Sequence, residues 1–262
     1  MSRLGRIRAA TQAGWHSFLR RRTAVFFTFF FPAIIVVIFG LLVETQAGDG
    51  GLFAEPAEWY IAGYITVVVL FTPLSRVGSE VARHRTGSQF EKLATTPLRR
   101  WEWLFAQTLV NTVVIGLASL LLVGLVIVGT NASLPASAEL VLLVPFVVVG
   151  VALFCGVGAI LGVIADSEDG VIAASNGLAL PLFFLSEAFV TREMLPGWLP
   201  IEASPVTHLS RGLRELTYVD GAGGSIFPTV WPVSDLYSYL LILTLVAIVS
   251  LAVAARMLPQ TD

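Results

Sequence analysis

Six apolar stretches dominate this chain, and each approaches the length needed to cross a bilayer. They are Val25–Val43, Trp59–Leu74, Leu104–Val128, Leu140–Ala165, Val171–Val190 and Leu236–Ala255. A helix crossing the hydrocarbon layer needs about 20 predominantly apolar residues. The second stretch is short unless it continues through Pro73 to about residue 76, and the third and fourth are long enough to tilt. Only 13% of the 262 residues are charged and 56% are hydrophobic, whereas a soluble domain carries about 25% charged residues. One aqueous core could not hide that much apolar surface. The reading is a single all-α, polytopic membrane domain over 1–262 with spans near 25–43, 59–76, 104–128, 140–165, 171–190 and 236–255.

Pro32, Pro73, Pro145 and Pro181 lie inside or at the ends of these spans. There they predict kinks whose freed carbonyls need partners in neighbouring helices. The run "GVGAILG", Gly156–Gly162, predicts close helix approach.

Orientation is read from Lys and Arg. All but Arg192, Arg211 and Arg214 of the 16 such residues fall on one side: before the first span, between the second and third, or at Arg256. The segment between the first two spans holds Glu44, Asp49, Glu55 and Glu58 and no cation. Both termini are therefore expected in the cytoplasm, with the protein in the cell membrane. Arg20–Arg22 before an apolar run also resembles a signal peptide, but the run exceeds a usual signal core and Glu44–Gly51 offers no A-x-A site. Asn131-Ala132-Ser133 matches a glycosylation sequon, expected to be unused.

Leu4, Ile7, Ala10, Thr11, Gly14, Trp15 and Phe18 recur at three-and-four spacing between Arg residues. Residues 1–22 thus read as an amphipathic helix in the membrane interface, contacting lipid. A loosely ordered basic tail is the alternative.

The longest charged stretch, "EVARHRTGSQFEKLATTPLRRWEW", joins the second and third spans. Ser88 and Glu91 have the spacing of a capping box, in which Ser88 caps the helix and Glu91 reaches back to its amide. Gly87 permits a tight turn, and Pro97 disfavours a helical Thr96, so the helix should end near Thr95. Phe90, Leu93 and Ala94 share one face; Gln89, Glu91 and Lys92 lie elsewhere around the axis. So short a helix is unstable alone in water and must pack on headgroups or on a partner. Arg99, Arg100, Trp101 and Trp103 should anchor the next span at the interface. The pattern fits a rigid cytoplasmic knob or an ordinary solvated loop.

Other chemistry is thinly represented. Cys155 is the single cysteine and His16, His84 and His208 lack metal-ligand spacing, so no metal site is expected. Asp166, Glu168 and Asp169 read as a solvated acidic turn between the fourth and fifth spans. Polar residues within spans are few: Asn111, Thr112, Ser175, Asn176 and Glu187. Asn111 and Asn176 are expected to make interhelical hydrogen bonds. Without a central acidic pair, an ion-coupled secondary transporter has little support. An intramembrane enzyme lacks a catalytic set, and a non-transporting scaffold stays open. The sequence has no G-x-x-x-x-G-K-[ST] loop and its single Lys is Lys92, so P-loop nucleotide binding is excluded.

"GSQFEKLATTPLRRWEWLFAQTL" resembles the cytoplasmic segment of type 2 ATP-binding-cassette (ABC) exporter permeases, with its Gly-Ser start, acidic residue, Leu and "T-P-L" ending. "LPLFFLSEAFVTREMLPGWLPIEASPVTHLSRGLREL", Leu180–Leu216, resembles the pattern those proteins carry after their fifth span, especially in the drug-export branch. The resemblance implies that Gly87, Ser88, Gln89, Phe90, Glu91, Lys92, Leu93, Ala94 and Thr95 form a coupling helix seated on a separate ABC ATPase. It implies that the N-terminal helix braces this contact and that Leu180–Leu216 forms re-entrant or interfacial helices at the outer mouth. Two ATPase copies are implied, using ATP and Mg, with no catalytic residue and no cofactor in this chain. So is a homodimer, or pairing with a second permease chain, with the second and fifth spans along the route. No nucleic acid is expected as a partner. Glu187 departs from the family, which usually has a small residue there. An interfacial acid is the first expectation, and Asn176 and Glu187 are the candidate gate or pathway polar residues.

Overall fold

The computed structural model describes residues 2–38, 55–130, 132–135, 137–218 and 235–258. Within them the chain is helical, in the order α1 (Arg3–Arg20), α2 (Arg22–Val36), α3 (Ala57–Thr86), α4 (Gln89–Ala94), α5 (Arg100–Thr130), α6 (Leu143–Ile164), α7 (Glu168–Phe184), α8 (Pro205–Thr217) and α9 (Asp235–Met257). Among the described residues, four helical segments are long and apolar enough to cross a membrane: α3, α5, α9, and α6 with the 3-10 turn at Ala138–Leu142 before it. α2 has 15 residues and α7 has 17. The end of the first expected span, 39–43, lies outside the described residues, as does Asn131 of the sequon.

Two span boundaries differ from the sequence reading. The second span does run through Pro73, and then on to Thr86, so that Arg76, Arg83 and Arg85 sit on helix rather than on a connecting loop. Nothing in Arg76–Thr86 breaks a helix, and α3 packs along its whole length. The fifth expected span is helical only to Phe184, where Pro181 leaves one turn before the chain folds back, so 185–190 is not helix. Pro32, Pro73 and Pro181 are interior to helices. Pro145 is not a kink: it stands in the first turn of α6, where the missing N–H has no partner to lose.

α3 is the axis of the bundle. No residue from Ala57 to Arg85 is exposed, because α5, α6, α7 and α8 surround the helix. Close approach to α6 depends on glycine. Side chains at Gly158 and Gly162 would collide with the α3 backbone at Leu74 and Gly78, and one at Gly156 with Ser250 and Leu251 of α9. The small-residue run therefore serves two neighbours at once. The lipid-facing band is supplied by α2, α5 and α9, where Phe27, Val113, Leu120, Leu241 and Val249 are exposed.

α7 packs differently. Its buried residues are Val171, Ser175, Ala179 and Phe183, one per four, which makes a single narrow stripe against α3. Ala173, Ala174, Asn176 and Gly177 are all exposed. Asn176 thus faces outward, and Asn111 bonds within its own helix, to the Gln107 carbonyl at 2.8 Å, rather than between helices.

Candidate functional site

The knob forms, by a different local mechanism from the one its sequence suggests. α3 ends at Thr86, α4 occupies Gln89–Ala94, and Thr95 closes it as the sequence predicts. The capping box does not form: Ser88 has φ 51 and ψ 29, a left-handed conformation, and its side chain makes no cap bond. Gly87 keeps an ordinary φ of −90, so Ser88 carries the turn. A non-glycine residue there costs about 1–2 kcal/mol, and tertiary packing must hold it.

That packing is an aromatic clamp. Phe90 of α4, His84 of α3 and Trp103 of α5 stand with ring centroids 5.4, 5.2 and 5.4 Å apart. The His84 ring is fixed through Nδ1, which donates to the Glu80 carbonyl at 2.8 Å. Phe90, on the apolar face of α4, is therefore used within this chain. Gln89, Glu91, Lys92 and Thr95 remain exposed, with Leu93 partly covered.

Arg residues then fasten the base of the knob to other helices. Arg85 donates to the carbonyls of Val163 and Ala165, satisfying the end of α6. Arg100 donates to the Leu258 carbonyl beyond α9. Arg83 reaches Glu80 at 2.8 Å and Glu168 of α7 at 3.6 Å. Glu168 and Asp169 occupy the first turn of α7, where the helix dipole favours acids, and Ser167 caps it by accepting from Gly170 N–H at 3.0 Å. Glu102 accepts from the Arg99 amide at 3.0 Å and from Arg6 Nε and Nη2 at 3.0 and 2.6 Å.

The N-terminal helix is the amphipathic helix its sequence predicts, with Ser2 accepting from Gly5 N–H at its start. It runs along the first half of α5: Arg6 meets Glu102, Gly14 faces Val110 and Gln107, and Phe18 clusters with Val110 and Val114.

At the opposite end of the bundle, Glu187 lies in the turn after α7 and is 6% exposed. Arg211 of α8 donates to both of its oxygens, at 2.5 and 2.9 Å, and to Glu202 at 2.9 and 3.2 Å. Burial opposes the charge on Arg211, but the two carboxylates outweigh it and hold the guanidinium above its ordinary pKa. Arg214 donates to the carbonyls of Glu187 and Ala188 and lies 3.6 Å over the Trp59 ring. α8 itself is sunk among α3, α6 and α9, with every residue from Val206 to Leu213 buried. It is not a helix resting on the surface. Sequence reading took Arg211 and Arg214 as exceptions to the charge asymmetry, and their internal pairing accounts for them.

Glu187 and Asn176 are not brought together: the first is sealed in the ion cluster and the second lies on the open face of α7. The contacts of Arg85 with Val163, Arg100 with Leu258, Glu102 with Arg6 and Arg211 with Glu187 carried no local signal, since these partners lie 24 to 158 residues apart.

Residues 5–218 match the ABC-2 type transporter family, a region running from α1 through the knob to the end of α8. The chain belongs to that family. It is an ABC-2 type permease, integral to the membrane. Among relatives, the daunorubicin resistance ABC transporter permease protein DrrB1 of Streptomyces coeruleorubidus is 26% identical over 196 residues, covering 71% of this chain and 66% of that protein. The match thus spans just under two thirds of that relative's length.

Proposed function

We propose that this permease is the membrane half of an ATP-driven exporter, moving a hydrophobic small molecule or lipid-like substrate outward. Two copies of a separate ABC ATPase power it with ATP and Mg, and Gly87–Thr95 is the coupling helix on which each sits. The observation that carries this reading is the knob's construction. Its apolar side is clamped by His84 and Trp103, while Gln89, Glu91 and Lys92 are left exposed. A solvated loop has no need of such a clamp, whereas a force-transmitting element must be stiff at its base and free at its tip. Arg85 and Arg100 supply the stiffness by joining the knob's flanks to the ends of α6 and α9.

A second permease chain, identical or paired, packs on α7. Support comes from the single buried stripe of that helix and from the small exposed residues Ala173, Ala174 and Gly177. Such residues let helices approach closely in a bilayer. α3 has no exposed residue before Thr86, so of the second and fifth spans only the fifth offers an open face. The hydrophobic substrate rests on the drug-resistance relative. Both termini are cytoplasmic, by the Lys and Arg asymmetry.

The test is co-purification of the ATPase from the native membrane with the double variant Glu91→Arg and Lys92→Glu, which spares Phe90. Loss of the ATPase from a normally inserted variant is expected. Equal recovery from both proteins would remove the coupling-helix assignment.

A further inference from the structure

Between the N-terminal brace and the bundle lies a cavity that the transport reading does not use. Its volume is about 50 Å³, and it is lined by Ser17, Phe18 and Arg21 at the α1–α2 elbow, Arg76 and Glu80 of α3, and Gln107 and Asn111 of α5. Two of its lining residues have a buried polar atom with no hydrogen-bond partner: Nη1 of Arg76 and Oδ1 of Asn111. The Asn111 amide nitrogen is committed to the Gln107 carbonyl, which fixes Oδ1 as the open acceptor. The Arg76 guanidinium stacks on Phe18 with 4.2 Å to the ring centroid and has no carboxylate within salt-bridge range among the described residues. Glu80, the nearest acid in the cavity wall, is already shared by Arg21 at 3.3 Å and Arg83 at 2.8 Å.

Water could fill such a space, since each buried molecule needs about 10–15 Å³ measured this way. Water cannot balance a largely buried guanidinium whose one acid in the cavity wall, Glu80, is shared with Arg21 and Arg83, and a poorly compensated buried charge is destabilising. A phosphate can. It offers several acceptor oxygens to the planar donors of a guanidinium, and Arg21 stands at the rim as a second cation. Basic pockets between helices on the cytoplasmic side are suited to anionic headgroups. Asn111 Oδ1 then accepts a hydrogen bond from a hydroxyl or ammonium group of the ligand.

We propose that this cavity is a phosphate-binding site, in which Arg76 holds the phosphate and Asn111 a neighbouring donor of the same ligand. A phospholipid headgroup and free phosphate share that chemistry. Occupancy would tie the brace helix to α3 and α5 through the ligand.

The test uses the full-length protein, delipidated in detergent. Thermal stability and native mass spectra are recorded with phosphatidylglycerol, with diacylglycerol, and with sodium phosphate. A headgroup site predicts retention of phosphatidylglycerol but not diacylglycerol, weakened at least tenfold in Arg76→Gln and unchanged in the exposed control Arg22→Gln. If sodium phosphate protects as well as the lipid does, again only with Arg76 present, the source is free phosphate and the site stands. If no ligand acts, or Arg76→Gln responds like the native protein, the cavity holds water only and the proposal fails. Should Arg76→Gln not insert, Asn111→Asp sets a negative charge against the phosphate. Undiminished phosphatidylglycerol binding there would overturn the assignment equally.

Discussion

Two kinds of arginine contact fasten this bundle: carbonyl staples, as at Arg85 and Arg100, and a buried ion pair, as at Arg211. At the knob end, Arg85 and Arg100 donate to backbone carbonyls at the ends of other helices, and their side chains stay partly open to solvent. At the far end, Arg211 is buried against Glu187, with Glu202 closing the cluster from outside. A carbonyl staple satisfies a group that every helix end leaves open. Its loss can be repaired by water. A buried ion pair cannot lose one member without stranding the other charge. The Arg211–Glu187 pair is thus a latch that is whole or broken, while the staples at Arg85 and Arg100 can be lost one at a time.

The largest expected effect lies in the latch. Arg211→Met should strand Glu187 and cost about 3–5 kcal/mol, read as a fall in thermal midpoint in detergent micelles. The double change Arg211→Met with Glu187→Leu should recover much of that loss. No recovery would mean that the pair is not the unit described. Removing one staple, Arg85→Ala, should cost less, about 2 kcal/mol for charge-assisted bonds. It should reduce transport-coupled ATPase activity more than stability. An equal fall in both would erase the contrast between the two ends.

Acid should weaken the latch end selectively. His208 packs beside Tyr239, its Nε2 bonded to the Glu202 carbonyl at 2.9 Å and its Nδ1 buried without a partner. Burial lowers its pKa below the usual 6.5. The unfolded chain therefore takes up the proton first. The stability that His208 contributes is complete above pH 6.5 and is lost as pH falls below it. Melting curves at pH 7.5 and 5.0 should differ more for the native protein than for His208→Phe. Equal differences would show the imidazole to be a spectator. The smallest change expected is at the hinge. Ser88→Gly relieves the left-handed serine but frees the unfolded chain, so stability should shift by less than about 1 kcal/mol, toward the folded state if strain dominates. A marked loss would mean that the Ser88 side chain has a role its geometry does not reveal.

Much of the fold was legible without coordinates. The long apolar runs gave α5, α6 and α9 almost to their ends, and three-and-four spacing gave the N-terminal helix. Pro97 placed the end of α4. These signals are local: hydropathy, period and proline each act over a few residues. The capping box failed because Ser88 and Glu91 matched a local pattern that the clamp of Phe90 overrode.

The sequence by itself determined that this chain is a helical membrane bundle, because apolar runs of that length cannot be hidden in water, and it left the charged insert between a helical knob and a solvated loop. Only the tertiary structure decided which charges meet. Glu187 became a sealed partner of Arg211, and Arg85 and Arg100 became helix-end donors, because those contacts join residues far apart in sequence. Spacing along a chain carries no information about such pairs. The packing of α8 between α3 and α9, and of α6 on α3 through glycine, brings them within reach.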